Sequence, residues 1–319
     1  MWMVLIDSSA DADAVKRELI ARGQWVRPTD RGFVLEPHSS RVSADELAKI
    51  PGVVQVVSPK SSHPKIDAQG PVVDVAGVKV GVGNKPVLMS GPCAVESEER
   101  IQQIAKKLAP RGALFLRGGA FKPRTSPYAF QGHGEVALQW MRRAADHNGM
   151  RVVTEAMAES EVPLVAEYAD LLQIGSRNMA NYALLKAAGK ARKPVLLKRS
   201  MSATVSEWLQ AGEYLLVHGA SGVIFCERGI RGFDESTRNL LDLGAVALLS
   251  HVHRLPVVVD PSHGTGRRDL VLPLARAALS AGAAGVMIET HDDPGRALSD
   301  GPQALRPEEL DALASEVLR

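Results

Sequence analysis

The sequence predicts an α/β fold, a (β/α)8 TIM barrel carrying a small N-terminal ferredoxin-like α+β domain. Three observations predict it. From Lys85 onward, short apolar runs alternate with amphipathic segments eight times. Residues 1 to 57 follow a different pattern of their own, and residues 58 to 71, SPKSSHPKIDAQGP, are polar, contain prolines and lack an apolar period, as a linker does. The 319 residues leave room for a barrel of about 250 residues and something small beside it.

In the N-terminal part, Met3 to Ile6 reads as a strand and Asp11 to Arg22 as an amphipathic helix. Strands follow near Gln24 to Arg27 and Gly32 to Leu35. Ser43 and Glu46 are spaced as a capping box that opens a short helix to Ile50, and Val53 to Val57 closes a βαββαβ order. The expected domains are residues 1–66, a possible regulatory unit, and 67–319, the barrel. Within the latter, residues 72 to 82 alternate around Ala76-Gly77 and predict a hairpin ahead of the barrel, where it could plug the bottom.

The eight expected barrel strands are Val87 to Ser90, Leu114 to Leu116, Val152 to Thr154, Leu171 to Ile174, Val195 to Leu197, Val223 to Phe225, Val257 to Val259 and Val286 to Ile288. Helical segments such as Ser97 to Ala109 and Thr204 to His218 separate them. A doubly wound open sheet is the weaker alternative. Composition narrows the function classes. A formal charge of +2 argues against a nucleic-acid surface, and any basic site must be local. There is no run of about 18 apolar residues and no charged leader, so no membrane insertion or export is implied and a cytoplasmic protein is expected. Two cysteines, Cys93 and Cys226, are too few for a disulfide framework and read as thiols in a reducing compartment.

A barrel places its chemistry at the C-terminal ends of its strands. Here those ends carry Cys93, Arg117, Glu155, Arg177, Lys198, Arg228, His263 and Glu289, with Asp300 in the loop after the last strand. Strands 7, 8 and 1 are neighbours once the barrel closes, so Cys93, His263, Glu289 and Asp300 form one arc. A thiolate, an imidazole and two carboxylates suit a borderline divalent ion, manganese, iron, cobalt or zinc, better than magnesium or calcium. The cations Arg117, Lys122, Arg124, Arg177, Lys198 and Arg228 are expected on the opposite arc, where they could hold two phosphorylated substrates. The second strand empties into LFLRGGAFKPRTSPYAFQG (114 to 132), where Gly118 and Gly119 allow close backbone approach and three cations with two hydroxyls suit a phosphate or carboxylate. A solvated basic loop is the plain alternative.

That loop resembles the signature of the 3-deoxy-D-arabino-heptulosonate 7-phosphate (DAHP) synthases. So do GPCAVE (91 to 96), VTE (153 to 155), QIGSRNM (173 to 179), LLKR (196 to 199), CERGIR (226 to 231), DPSHGTGRRDLV (260 to 271) and LSDG (298 to 301), in the family's order. The likeness spans about residues 72 to 305 and is similar in particular to the type I beta subgroup, which has an N-terminal ferredoxin-like extension. Ser176, where relatives often carry Ala, is a minor departure.

The resemblance implies condensation of phosphoenolpyruvate with D-erythrose 4-phosphate to DAHP plus phosphate, an aldol-type transfer that opens the shikimate pathway. It implies a divalent metal, manganese first, on Cys93, His263, Glu289 and Asp300. Phosphoenolpyruvate would meet Arg117, Lys122, Arg177, Lys198 and Arg228, and the aldose phosphate Arg124, Thr125 and Ser126. Lys122, Glu155, Lys198 and His263 are the catalytic candidates; a Lys among cations loses its proton more readily than usual, and Glu155 could orient a water. Asp260 is expected to anchor a neighbouring cation and Cys226 to pack. A homodimer or homotetramer is expected, with tyrosine or phenylalanine as a possible effector where two N-terminal units pair. The rivals are a synthase making the eight-carbon acid from arabinose 5-phosphate, and an inactive barrel whose N-terminal unit senses an amino acid and regulates a partner.

Overall fold

The computed structural model describes residues 2–36, 39, 40, 42–57, 61–122, 128 and 130–317, and divides into two compact units, Met1–Ser62 and His63–Arg319. The first consists of β1 (Met3–Ile6), α1 (Ala12–Ala21), β2 (Val26–Thr29), β3 (Gly32–Leu35), α2 (Ala44–Ala48) and β4 (Val53–Val57). Its antiparallel sheet runs β2-β3-β1-β4, the strand order of a ferredoxin-like fold. Asp11 caps α1 through the Asp13 and Ala14 amides. Ser43 and Glu46 form the expected capping box at α2, each side chain meeting the other's backbone N–H. Val4, Val15, Leu19, Phe33, Leu35, Leu47 and Ile50 make the core of this unit.

β2 starts later than the expected Gln24. The Gln24 amide donates to the Arg22 and Ser40 carbonyls, which engages its side chain with loops on both sides rather than with the sheet. Pro28 is tolerated because β2 lies at the sheet edge.

The second unit opens with α3 (Pro64–Ala68), inside the stretch expected to be a linker, and the expected division between residues 66 and 67 falls within it. Pro64 supplies the fixed φ of a first helical residue. The Glu213 carboxylate accepts from the Lys65 and Ile66 amides, at 3.0 and 2.9 Å, and Ile66 is fully buried. One buried residue in a polar stretch leaves no period to read.

β5 (Val72–Val75) and β6 (Val78–Gly81) form the expected hairpin. The barrel elements follow: β7 (Val87–Gly91), α4 (Glu98–Leu108), β8 (Ala113–Arg117), α5 (Glu135–His147), β9 (Arg151–Glu155), α6 (Val162–Tyr168), β10 (Leu171–Ile174), α7 (Tyr182–Lys190), β11 (Pro194–Lys198), α8 (Val205–Val217), β12 (Gly222–Glu227), α9 (Leu243–Ala247), β13 (Val257–Val259), α10 (Pro261–Thr265), α11 (Arg268–Ser280), β14 (Gly285–Glu289) and α12 (Asp311–Val317). β7 to β14 form a closed parallel barrel. Closure is by β14 on β7, in register from Gly285 opposite Val87 to Glu289 opposite Gly91, which excludes the open sheet.

Alternation along each strand divides the apolar side chains into two cores. Val87, Met89, Phe115, Leu171, Leu196, Ile224 and Val258 fill the barrel, and Val73, Val75 and Val80 of the hairpin pack into the same cluster, closing its lower end. Leu88, Leu116, Leu172, Leu197, Phe225 and Ile288 face outward to the helices. The single amphipathic helix expected after β12 is instead a loop, the short α9 and a π-helical turn over Leu248–His253.

Phe115 is fully buried among the interior aliphatics. Phe115→Ala should lower stability by about 3–5 kcal/mol, measured as a fall in the urea midpoint; an unchanged midpoint would contradict this account of the barrel interior.

Candidate active site

The closing ladder delivers the first group of side chains. β7 leads into Cys93, β14 ends on the fully buried Glu289, and the loop after β14 presents Asp300 in the left-handed region, at φ 51°. The Cys93 Sγ and one carboxylate oxygen each of Glu289 and Asp300 lie within 4.8 Å of one another. The thiol donates to Asp300 Oδ2 at 3.0 Å. α10, capped by the Asp260 carboxylate, carries His263, whose Nδ1 is 2.7 Å from Asp260 and whose Nε2 is 3.2 Å from Glu289 Oε1. The structure thus gathers three residues of the expected ligand arc, Cys93, Glu289 and Asp300, and places the fourth, His263, against Glu289.

Backbone approach makes room for this. Gly119 N–H donates to the Cys93 carbonyl at 3.1 Å, and a Cβ on Gly119 would stand 2.9 Å from that oxygen and 2.7 Å from Lys122 Cδ. Lys122 Nζ reaches back to the Cys93 carbonyl at 2.8 Å and the thiol sulfur at 2.9 Å. Arg117, at the end of β8, donates Nη1 to the Pro92 carbonyl and to Glu289 Oε1. Gln303 Nε2 takes the other Glu289 oxygen at 2.5 Å and receives support from Arg238, which donates to its carbonyl at 3.0 Å.

Burial pushes the Cys93 thiol up to about 12, with Glu289 adding to the rise and Lys122 opposing it. Burial alone would raise Glu289, but His263 and Arg117 outweigh it and hold the carboxyl below its ordinary value. Asp300 is likewise lowered, its burial overcome by the thiol hydrogen bond and His263. For Asp260 burial acts upward too, yet His263 and Lys198 hold it well below the usual range. The donor chemistry fits a borderline divalent cation: a thiol whose proton a metal would displace and two ionised carboxylates lie close together, with an imidazole ring nitrogen against Glu289.

Arg177, Lys198 and Arg228 line a cleft of about 430 Å³ shared with Glu155, His263 and Asp300. Lys198 Nζ is 2.5 Å from Asp260 Oδ2, so Asp260 anchors a neighbouring cation as expected. Arg228 is buried, its Nη1 has no hydrogen-bond partner among the described residues, and burial lowers its guanidinium from the ordinary value. Arg177 is exposed on the turn Ser176–Asn178. Glu155 accepts from Gln173 Nε2 at 3.0 Å, and a Cβ on Gly175 would lie 2.1 Å from its Oε1.

The cations are not all opposite the ligand arc. Arg117 and Lys122 sit on Glu289 and Cys93 themselves, because β8 adjoins β7 and β7 adjoins β14. Arg124, Thr125 and Ser126 lie outside the described residues. Cys226 is fully buried in the barrel interior, a packing residue. Sequence reasoning did not single out Gln303, Arg231, Arg238 or Asn239. Arg231 stood within CERGIR; the others carry no sequence signal beyond polarity.

Barrel, buried ligand-type cluster and cationic cleft together define a class of enzyme that handles phosphorylated substrates. Residues 57–318 match the DAHP synthetase I family. The phospho-2-dehydro-3-deoxyheptonate aldolase of Thermotoga maritima is 47% identical over 274 residues, 86% of this chain and 81% of that protein. Its crystal structure superposes with a TM-score of 0.77 at 40% identity, covering 99% of this chain and 95% of the other. The 2-dehydro-3-deoxyphosphooctonate aldolase of Methylibium petroleiphilum is 31% identical over 76% of this chain and 93% of its own. The chain belongs to the DAHP synthetase I family.

With its pKa held at about 12, the Cys93 thiol is protonated at neutral pH. Binding of Mn²⁺ to the metal-free protein should therefore release about one proton per site, measured by calorimetry in buffers of different ionisation heat. Cys93→Ser should release none; equal release by both proteins would contradict ligation through the sulfur.

Proposed function

We propose that this chain, as a metal-dependent enzyme, condenses phosphoenolpyruvate with D-erythrose 4-phosphate to DAHP and inorganic phosphate, the first step of the shikimate pathway of aromatic amino acid biosynthesis. Family membership and the 47% identical Thermotoga relative support the reaction. The observation that carries its metal-dependent form is the convergence of buried Cys93 and Glu289 with the half-buried Asp300, with His263 beside them. These four would hold the ion, manganese first and iron, cobalt or zinc otherwise, which when bound supplies Lewis acidity toward the aldehyde oxygen of erythrose 4-phosphate.

The protein's own groups do the rest. Arg177, Lys198 and Arg228 hold the phosphate of phosphoenolpyruvate, while Arg117 and Lys122 lie toward its reacting end. Arg124, Thr125 and Ser126 take the aldose phosphate. As C3 of the enol bonds to the aldehyde carbon, Lys122 gives a proton to the aldehyde oxygen. Glu155 takes one from the water that adds at C2. The tetrahedral product then loses phosphate by C–O cleavage, and Lys198 and Arg228 meet the departing charge with donors already in place. Asp260 keeps Lys198 and His263 oriented through 2.5 and 2.7 Å contacts.

We assign the chain to the type I beta subgroup on its N-terminal unit, and propose that it is a cytoplasmic homodimer or homotetramer. β4 is a sheet edge with Val54 and Val57 exposed, which favours pairing between copies. The two free thiols accord with a reducing compartment. The N-terminal unit is proposed to bind an aromatic amino acid that inhibits the barrel. Among the described residues no helix is long and apolar enough to cross a membrane.

After chelator treatment, loss of phosphoenolpyruvate absorbance with erythrose 4-phosphate should return on adding Mn²⁺ in the wild type. It should fall by at least about 10²-fold in Cys93→Ser. Turnover with arabinose 5-phosphate instead would establish the eight-carbon reaction, and none with either aldose would favour the sensor. A truncated chain beginning at His63 should keep activity and lose inhibition by tyrosine or phenylalanine; retained inhibition would contradict the regulatory assignment.

A further inference from the structure

Among the charged residues of the strand-end motifs with no part in this mechanism are Arg199 of LLKR and Glu227 of CERGIR. Strand alternation explains why they face away from the cleft. Along β11, Leu196 fills the barrel and Leu197 meets the helices, so Lys198 turns inward and Arg199 outward. Along β12, Ile224 and Cys226 are interior and Phe225 is outer, so Glu227 turns outward and Arg228 inward.

Behind the cleft the outward pair meets. Arg199 Nη1 lies 3.0 Å from Glu227 Oε2, with Arg199 5% exposed and Glu227 fully buried. Arg199 also donates to Asp242 at 2.8 Å and to the Ala203 carbonyl at 3.0 Å, and its guanidinium lies 5.6 Å from the centre of the Trp208 ring. Glu227 Oε1 accepts from the Gly229 amide at 2.6 Å.

The backbone around the pair crosses three strand ends. Arg199 N–H donates to the Cys226 carbonyl at 3.0 Å, and Asp260 N–H donates to the Glu227 carbonyl at 2.8 Å. Arg199 directly follows Lys198 and Glu227 directly precedes Arg228, both of which line the cleft, and Asp260 holds Lys198 at 2.5 Å. A buried ion pair is weak evidence for stability, since desolvation offsets most of its attraction, but it can fix one arrangement against others. Such an arrangement is needed here. Arg228 Nη1 has no hydrogen-bond partner among the described residues, in a cleft shared with Arg177, Lys198, Arg231 and Arg238, and like charges so placed would otherwise spread apart.

We propose that Arg199 and Glu227 are positioning residues that lock the ends of β11 and β12 so that Lys198 and Arg228 converge on the phosphate of phosphoenolpyruvate. This rests on the condensation reading above.

The test compares Glu227→Gln with Asp242→Asn in the full-length protein. Both remove a carboxylate from Arg199. Gln can still accept from Gly229 N–H, and Asn can still cap α9, where Asp242 accepts from Ala245 N–H at 2.9 Å. Only Glu227 adjoins a cleft cation. Glu227→Gln should raise KM and Kd for phosphoenolpyruvate about tenfold or more and leave KM for erythrose 4-phosphate near the wild-type value. Asp242→Asn should change phosphoenolpyruvate binding less than about threefold.

Unchanged phosphoenolpyruvate binding in Glu227→Gln would overturn the proposal, as would equal losses for both substrates in both variants that follow the fall in Tm. If Glu227→Gln does not fold, Arg199→Lys carries the test, since it keeps the charge but not the planar fork that spans Glu227 and Asp242; wild-type phosphoenolpyruvate affinity there would likewise overturn it. Wild-type protein that binds no phosphoenolpyruvate at all would overturn the functional reading and this proposal with it.

Discussion

The site depends on the ladder between β14 and β7. Without that closure Cys93 and Asp300, 207 residues apart in sequence, have no reason to meet at 3.0 Å. With it, the last residue of β14 stands opposite the last of β7, and two short loops need only reach a few ångströms to gather a thiol and two carboxylates. The hairpin and the interior aliphatics make the closure firm from below. Val73, Val75 and Val80 fill the end of the barrel away from the site, so the strand tips are held by packing that takes no part in the chemistry.

Charge then shapes what closure has assembled. Carboxylates buried this deeply would be neutral on their own, and Glu289 and Asp260 stay ionised only because Arg117, Lys198 and His263 lie against them. The thiol of Cys93 goes the other way, kept protonated by burial and by Glu289. A metal ion bound there would have to displace that proton. On the far side, Arg228 bears the cost of burial with no partner for one of its nitrogens among the described residues, and a phosphate is the group that would relieve it.

Much of this was legible because it is local or periodic. Ser43 with Glu46 announced α2 through a capping box that the structure reproduces. Eight apolar runs of the right length gave the barrel, and the barrel rule turned scattered residues into a mouth. What stayed hidden depends on reach rather than order. Arg117 and Lys122 were expected across the mouth, yet long side chains on the strand next to β7 fold back onto Glu289 and Cys93. Gln303 supports Glu289 from a turn whose sequence offers no sign of it. The short α3 was invisible because one buried isoleucine among polar residues makes no pattern, and its cap comes from Glu213, far along the chain.

The central claim is that one buried cluster binds a metal beside a cleft that binds phosphoenolpyruvate. Anomalous diffraction from crystals soaked with Mn²⁺ and phosphoenolpyruvate tests both halves at once. The account expects a single manganese peak bonded to Cys93, His263, Glu289 and Asp300, with the substrate phosphate on Lys198 and Arg228. A manganese peak elsewhere, or a phosphate seated away from those two cations, would contradict it.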